Sequence, residues 1–191
     1  MGANDVIGPN GAIPAFNGGS YHKNITTSAI VQVKDSAGVL ERLGINTGGT
    51  SSKVVLYDGL SSAVTITIAS PAVVSWPAHG LPAGTAVEFT TTGALPTGLV
   101  AGTKYYVSVT GLTADAFQVA DTQAHALAGT NSIDTTGTQS GAHTGWDVGD
   151  PVGTYATTSQ NSLAIEAACL DGIIALPTDG GGAADLTVFY V

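Results

Sequence analysis

Short runs of β-branched and apolar residues, divided by turns that contain Gly, Ser or Asn, recur along this sequence from residue 28 onward. Such side chains favour strands, and such punctuation marks the turns between strands. Outside one ambiguous segment, no helical pattern of about ten residues or more separates the runs, which indicates antiparallel sandwiches or barrels. The predicted strands are 29–34, 39–45, 53–57, 64–68, 86–90, 104–109, 116–120, 152–155 and 186–191.

The ambiguous segment is 162–176, which admits two interpretations. One is an amphipathic helix with Ser162 as its N-cap. The other is a pair of strands, because the first apolar side chains alternate, Asp171 and Gly172 form a typical hairpin turn, and 173–176 suits a returning strand. We predict the two strands.

Net charge excludes several classes of partner. The chain carries 5 Lys and Arg residues against 14 Asp and Glu residues, a formal net charge of −9. Nucleic-acid binding requires clustered cations, and an anionic membrane surface attracts polybasic segments, so we expect neither partner. The sequence shows no signal-peptide pattern and no apolar run as long as a membrane span, and its single cysteine permits no internal disulfide.

Charge also divides the chain into regions. The stretch 63–146 holds five charged residues, namely Glu88, Lys104, Asp115, Asp121 and Asp134. We interpret this stretch as a small β-barrel module inserted into an antiparallel β-sandwich base, which residues 21–62 and 147–191 form together. Exposed loop tips tolerate such insertions, because a longer loop adds little to the entropy cost of closure.

Residues 1–20 show neither strand nor helix periodicity and are interpreted as an N-terminal arm. Isolated apolar residues in an extended segment suit docking onto a partner. The candidate partner contacts are Ile7, Pro9, Ile13 and Phe16. A frayed terminus without a partner is the alternative, and it stays open.

Several phrases in the inserted stretch resemble a known module. They are WPAHGLPAGTAVEF at 76–89, TGALPTGL at 92–99, YYV at 105–107, AFQV at 116–119 and GAHT at 141–144. Together they resemble the small β-barrel related to the first catalytic-cysteine half-domain of ubiquitin-activating enzymes, a module that recurs in structural proteins of tailed bacteriophages. The resemblance implies a fold. It implies no cysteine chemistry, because Cys169 lies outside the matching phrases.

The flanks carry a second resemblance. The phrases SAGVL at 36–40, INTGG at 45–49, VVLYDG at 54–59 and GAADLTVFY at 182–190 are similar to small all-β phage virion proteins of the head-decoration kind. This resemblance implies a non-enzymatic decoration or cement protein, made in the host cytoplasm and located on the outer surface of the phage head. The implied partner is the major capsid protein.

Strand edges are normally protected by Lys, Pro or bulges, and the chain has few cations for its many predicted strands. We therefore expect partners to cover the edges in a homo-oligomer, and the virion resemblance favours a trimer. The apolar run 186–191 is expected to lie within a sheet or an interface, because an exposed apolar strand promotes aggregation.

No motif specifies chemistry, and we predict no catalytic, cofactor-binding or metal-ligating residue. His79 precedes Gly80 in a turn phrase and has no second ligand at suitable spacing. Asp147 and Asp150 are of the residue type that glycoside hydrolysis uses in pairs, but at a module junction they are interpreted as turn formers. The glycine-rich stretch 179–185 lacks the alternating acids of a calcium loop and is interpreted as a hairpin.

An alternative function rests on aromatic residues. Trp76, Tyr105 and Tyr106 are candidates for stacking against a sugar, which would make the barrel a host-surface glycan-binding module on a phage spike or tail. Burial of the same rings in the barrel core is the competing interpretation.

Overall fold

A computed structural model describes residues 21–48, 53–158, 161–178 and 185–191. Outside them lie most of the glycine-rich stretch and the arm, with its candidate contacts Ile7, Pro9, Ile13 and Phe16. The described chain is almost entirely β-structure, with two four-stranded antiparallel sheets and a seven-stranded antiparallel sheet that nearly closes into a barrel. The predicted all-β class is confirmed.

Two sheets, A and B, face each other as a sandwich. In spatial order, sheet A contains β1 (Tyr21–Ile25), β15 (Asp185–Tyr190), β3 (Gly38–Thr47) and β13 (Asn161–Cys169). Sheet B contains β12 (Asp150–Ala156), β4 (Lys53–Asp58), β14 (Ile173–Thr178) and β2 (Val31–Lys34). Both sheets therefore combine strands from the two flanks of the chain.

Inward-pointing side chains of both sheets fill the sandwich core. Leu40, Leu43 and Val188 of sheet A share one fully buried cluster with Leu56 and Ile173 of sheet B. Burying each such side chain contributes about 1.5–3 kcal/mol to folding. This cluster is what holds the two flanks together.

The prediction that 186–191 lies within a sheet is confirmed, and the chain itself supplies the neighbouring strands. β15 pairs with β1 on one side and β3 on the other, so that Leu186 lies opposite both Ile25 and Ile45. β1 is not apparent in the sequence, because four of its five residues are exposed and only Ile25 joins the core.

Each edge strand of the sandwich carries a feature that opposes pairing with another chain. Lys23 lies in β1 and Lys34 in β2, Pro151 lies in β12 beside a shift in register, and β13 is bulged at Glu166, where φ is +53°. Lysines, prolines and bulges are the usual protection of edge strands. The sandwich edges therefore carry protection of their own, and the expected partners and trimer stay predictions.

Residues 162–176 lie in two strands, as predicted, and the helical alternative is wrong. β13 ends at Cys169 and β14 begins at Ile173. The carboxylate of Asp58 accepts hydrogen bonds of 2.7, 2.9 and 3.2 Å from the backbone N–H groups of residues 170–172. A distant carboxylate thus holds the turn that converts this segment into a pair of strands.

The seven-stranded sheet, hereafter the barrel, lies between Ser61 and Asp147. In spatial order it contains β10 (Val119–Ala120), β8 (Tyr105–Val107), β7 (Ala86–Thr91), β11 (His143–Asp147), β5 (Ser61–Ile66), β6 (Val74–Ser75) and β9 (Ala116–Phe117). Only Gln118 separates β9 from β10, so the chain itself brings the two edges of the sheet together. Phe89 and Phe117 are fully buried in the barrel core.

The chain enters the barrel through β5 and leaves it through β11. These strands are paired neighbours, with Ser61 opposite Trp146. Entry and exit are therefore adjacent, which is the geometry that allows a loop to accept an inserted module.

The barrel packs against the outer face of sheet B and does not stand free on a loop tip. Tyr57 and Ile174 directly follow residues that face the sandwich core, so their own side chains lie on the opposite face of sheet B. On that face they form a buried cluster with Ala86, Trp146 and Val148. Sheet B is therefore buried on both faces where it meets the barrel. The molecule has three layers, in the order sheet A, sheet B and barrel.

α1 (Gln123–Ala128) is a short helix that follows β10 and was not predicted from the sequence. Thr122 caps its N-terminus by accepting a hydrogen bond from the His125 N–H, and Gly129 ends it at a φ of +68°. Six residues are too few to show a helical period in the sequence. Across the described residues, helical structure never reaches the length and apolarity that a membrane crossing requires.

Candidate functional site

A cleft of about 750 Å³ opens where the barrel meets the sandwich. We name it the junction cleft. It is lined by Asp35, 60–62, 76–86, Lys104, Tyr106, Gln123, 147–151 and Asp171. Small-molecule sites usually have volumes of about 300–1,000 Å³ and often lie between domains, so both size and position suit a ligand.

Asp147 is the most deeply buried carboxylate of this cleft, with 7% of its surface exposed. Its Oδ1 accepts a hydrogen bond of 3.0 Å from the Gly149 N–H, which forms the tight turn between β11 and β12. The turn role predicted for Asp147 is confirmed. Its Oδ2 accepts no hydrogen bond from the described residues.

Burial is the main reason that the pKa of Asp147 rises from its ordinary value of 3.8 to about 6. The Gly149 N–H opposes the rise, whereas the nearby charges of Asp150, Asp171 and Asp58 add to it. Ionisation of Asp147 therefore costs free energy, because the carboxylate is buried and the nearby side chains carry negative charge.

Lys104 is the one cation among the described residues that line the cleft. Its Nζ donates a hydrogen bond of 3.1 Å to the Tyr57 hydroxyl and lies 5.0 Å from the centre of that ring. It also partly offsets the burial that raises the pKa of Glu88. Lys104 thus ties the barrel to sheet B, and its ammonium is already engaged.

His79 lines the cleft, but its imidazole nitrogens are both occupied. Nδ1 accepts a hydrogen bond of 2.9 Å from the Leu81 N–H, and Nε2 lies 2.9 Å from the Thr113 carbonyl oxygen, to which it donates. The ring also meets Phe117 edge-on, with 5.0 Å between ring centres. These contacts select a neutral tautomer and make His79 a structural residue.

Two of the three candidate glycan contacts are core residues. Trp76 is 4% exposed and Tyr105 is 5% exposed, and both belong to the barrel core. Their ring faces are covered, which corrects their interpretation as sugar contacts. Tyr106 is half-buried, lines the junction cleft and makes no hydrogen bond through its hydroxyl within the described residues.

A second surface lies on the outer face of sheet A, away from the barrel. Val191 and Val39 exchange two backbone hydrogen bonds, and Ala168 lies opposite Val39 on its other side. Residues directly opposite one another point to the same face, so these three form an apolar row. Val39 is 37%, Val191 39% and the adjoining Leu170 78% exposed. We name these four residues the sheet A patch.

Neither the junction cleft nor the sheet A patch was predicted from the sequence. The junction cleft joins residues of the sandwich and the barrel that are far apart in the sequence, and no local pattern connects them. The sheet A patch does have a local signal. Val39 precedes the buried Leu40 in a strand whose side chains alternate, which places Val39 on the solvent face.

Within the described ranges, no group of three or more His, Cys, Asp or Glu side chains is placed to hold a metal ion. Cys169 is 1% exposed, and burial, together with the charge of Asp58, raises the pKa of its thiol to about 11. A buried thiol that keeps its proton is a poor nucleophile.

Comparison of the chain with protein families, with curated proteins and with solved structures gives no match. The resemblances to phage decoration proteins and to the half-domain of ubiquitin-activating enzymes therefore stay predictions.

Proposed function

We propose that this chain is a non-enzymatic structural protein of a tailed-bacteriophage virion, which decorates the outer surface of the assembled head. The observation that carries the proposal is the order of the three layers. The barrel covers the outer face of sheet B, and no described residue of the barrel packs on the outer face of sheet A. Such a subunit can dock through sheet A and hold the barrel on the opposite side.

The sheet A patch is the proposed centre of docking. Contiguous exposed apolar residues mark interaction surfaces on soluble proteins. Beside the patch, Phe189 lies between Arg42, whose guanidinium carbon is 4.6 Å from the ring centre, and His22, whose ring centre is 6.0 Å away. Apolar and aromatic contacts would supply most of the affinity, because the chain has too few charges for salt bridges to dominate.

The arm is proposed to extend the same interface. Tyr21, the first described residue, lies opposite Tyr190, and Tyr190 directly precedes Val191 of the patch. The arm therefore joins the sandwich at the patch end of sheet A. Docking of Ile7, Ile13 and Phe16 onto neighbouring shell subunits would widen the contact.

The proposed mechanism is mass action. A subunit that binds the assembled shell, and not its dissociated parts, stabilises the shell by about 2.7 kcal/mol per site at a free concentration of about 100 times its Kd. The proposed partner is the major capsid protein, and the subunit itself is proposed to assemble as a trimer, which would multiply the contacts.

Heads purified from the phage that encodes this chain, stripped of it and heated with and without added protein, test the proposal. The added protein is expected to raise the temperature at which the heads release DNA. Leu170→Asp places a charge in the patch and is expected to abolish both binding and protection. Leu127→Asp is the matched control, because Leu127 is also well exposed, at 57%, but lies on the barrel.

Equal release temperatures with and without the protein would refute the cement function. Binding that survives Leu170→Asp but not Leu127→Asp would place the docking surface on the barrel and refute the proposed orientation. Labelling of intact particles would locate the protein and count its copies, and a position on the tail would refute the head assignment.

A further inference from the structure

We propose that the junction cleft is a binding site for a neutral oligosaccharide. This inference goes beyond the proposed attachment to the head, because the cleft lies between sheet B and the barrel, whereas Val39, Ala168 and Val191 of the sheet A patch lie on sheet A.

The first observation is a largely buried carboxylate with one oxygen still free to accept. Asp147 is 93% buried and lines the cleft, and within the described residues only one of its two carboxylate oxygens accepts a hydrogen bond, from Gly149. Its Oδ2 does not belong to the fully buried polar atoms that lack a partner, so it keeps access to solvent. A ligand hydroxyl in the cleft would donate to Oδ2 in place of water.

The second observation is that other polar groups of the cleft lining can form hydrogen bonds with the hydroxyl groups of a ligand. The Gln123 Nε2 donates to the Gly84 carbonyl oxygen at 3.1 Å, which holds the side chain in place and leaves Oε1 as an acceptor. Thr85 and Tyr106 bring hydroxyl groups that make no hydrogen bond within the described residues. Hydroxyl groups of a ligand both donate and accept, so a sugar matches the hydrogen-bonding chemistry of these groups.

The third observation is an aromatic wall. Tyr106 packs against the cluster of Trp146 and Ile174 on the junction side and lines the cleft while remaining half-buried. An aromatic ring that is supported from behind presents a rigid apolar surface with a polar tip. That combination suits the C–H face and the hydroxyl groups of a pyranose.

Charge restricts the class of sugar. Asp35, Asp150 and Asp171 are exposed residues of the cleft lining, and Lys104, the one cation among the described lining residues, donates to the Tyr57 hydroxyl. Like charges in a binding site disfavour an incoming anion. The cleft is therefore expected to reject sialylated and sulfated glycans and to accept neutral ones.

Binding of the full-length chain to an array of neutral, sialylated and sulfated glycans tests the inference, with Kd values of the hits measured by calorimetry. Asp147→Asn and Gln123→Ala are each expected to weaken binding of a neutral glycan by about tenfold or more, because each removes a ligand acceptor or its support. Asp134→Asn, which changes an exposed Asp of the barrel outside the cleft, is expected to bind like the unchanged protein.

Gln123 is exposed on a short helix, so Gln123→Ala is expected to leave the fold intact. This variant therefore tests the cleft even if Asp147→Asn perturbs the packing of the junction. The inference is overturned if no neutral glycan binds, if only sialylated or sulfated glycans bind, or if neither cleft variant weakens binding. If glycan binding is not found, the predictions that the protein binds heads and that Leu170→Asp abolishes this binding still stand. The two proposals can therefore be refuted independently.

Discussion

Replacing Asp147 by Asn is expected to change how stability depends on pH. A pKa difference of one corresponds to about 1.4 kcal/mol, so a pKa of about 6 against an ordinary 3.8 costs the folded protein about 3 kcal/mol once the carboxylate is ionised. Below about pH 4 the carboxyl is protonated in both states and costs nothing. Between about pH 4 and pH 6 the unfolded chain loses the proton first, so stability falls as pH rises.

Asn keeps the shape of the side chain and the acceptor for the Gly149 N–H but never ionises. Asp147→Asn is therefore expected to match the unchanged protein near pH 4 and to exceed its free energy of unfolding by up to about 3 kcal/mol at pH 7. Urea unfolding across this pH range, followed by the fluorescence of the two buried tryptophans, Trp76 and Trp146, measures the difference.

The control is Asp134→Asn, where the same substitution is made at an exposed position and little change is expected. A difference between Asp147→Asn and the unchanged protein that stays constant from pH 4 to pH 7, or a variant that is less stable at pH 7, would refute the reasoning.

Two further predictions concern packing and reactivity. A methyl group at Gly145 would lie 2.7 Å from Cζ3 of the buried Trp76, so Gly145→Ala is expected to lower the free energy of unfolding by about 1–3 kcal/mol. Gly44→Ala is the control, because the nearest atom to a methyl group there is 3.5 Å away, and it is expected to change the free energy of unfolding little in the same urea titration. Cys169 is expected to react with a thiol reagent at pH 8 only as fast as the protein opens, since its thiol is buried and protonated; immediate labelling of the native protein would contradict its burial.

The strands that sequence predicted well are those whose side chains alternate between core and solvent. β3 and β4 are examples, because Leu40 and Leu56 face the sandwich core and a period of two is visible within a few residues. The strands that it missed carry little such signal. β1 buries only Ile25, and β6 is two residues long.

The candidate sites were less accessible from sequence than the fold. Trp76 and Tyr105 have the composition of a sugar platform, but the barrel closes around them. Tyr106, next to Tyr105 in the same strand, points the other way, since successive side chains of a strand face opposite sides. Choosing among these three residues required knowledge of which side of the strand faces the core.

Sequence by itself determined the all-β class, the two strands within 162–176 and the enclosure of 186–191 in a sheet. These properties follow from local periodicity, turn residues and composition, which need no contact between distant residues. Tertiary structure decided that the barrel packs on sheet B, that Asp147 is largely buried at their junction, and that no described residue of the barrel covers the outer face of sheet A. These features depend on contacts between residues such as Tyr57 and Trp146. Such residues are far apart in the sequence, so a local sequence pattern cannot show that they meet.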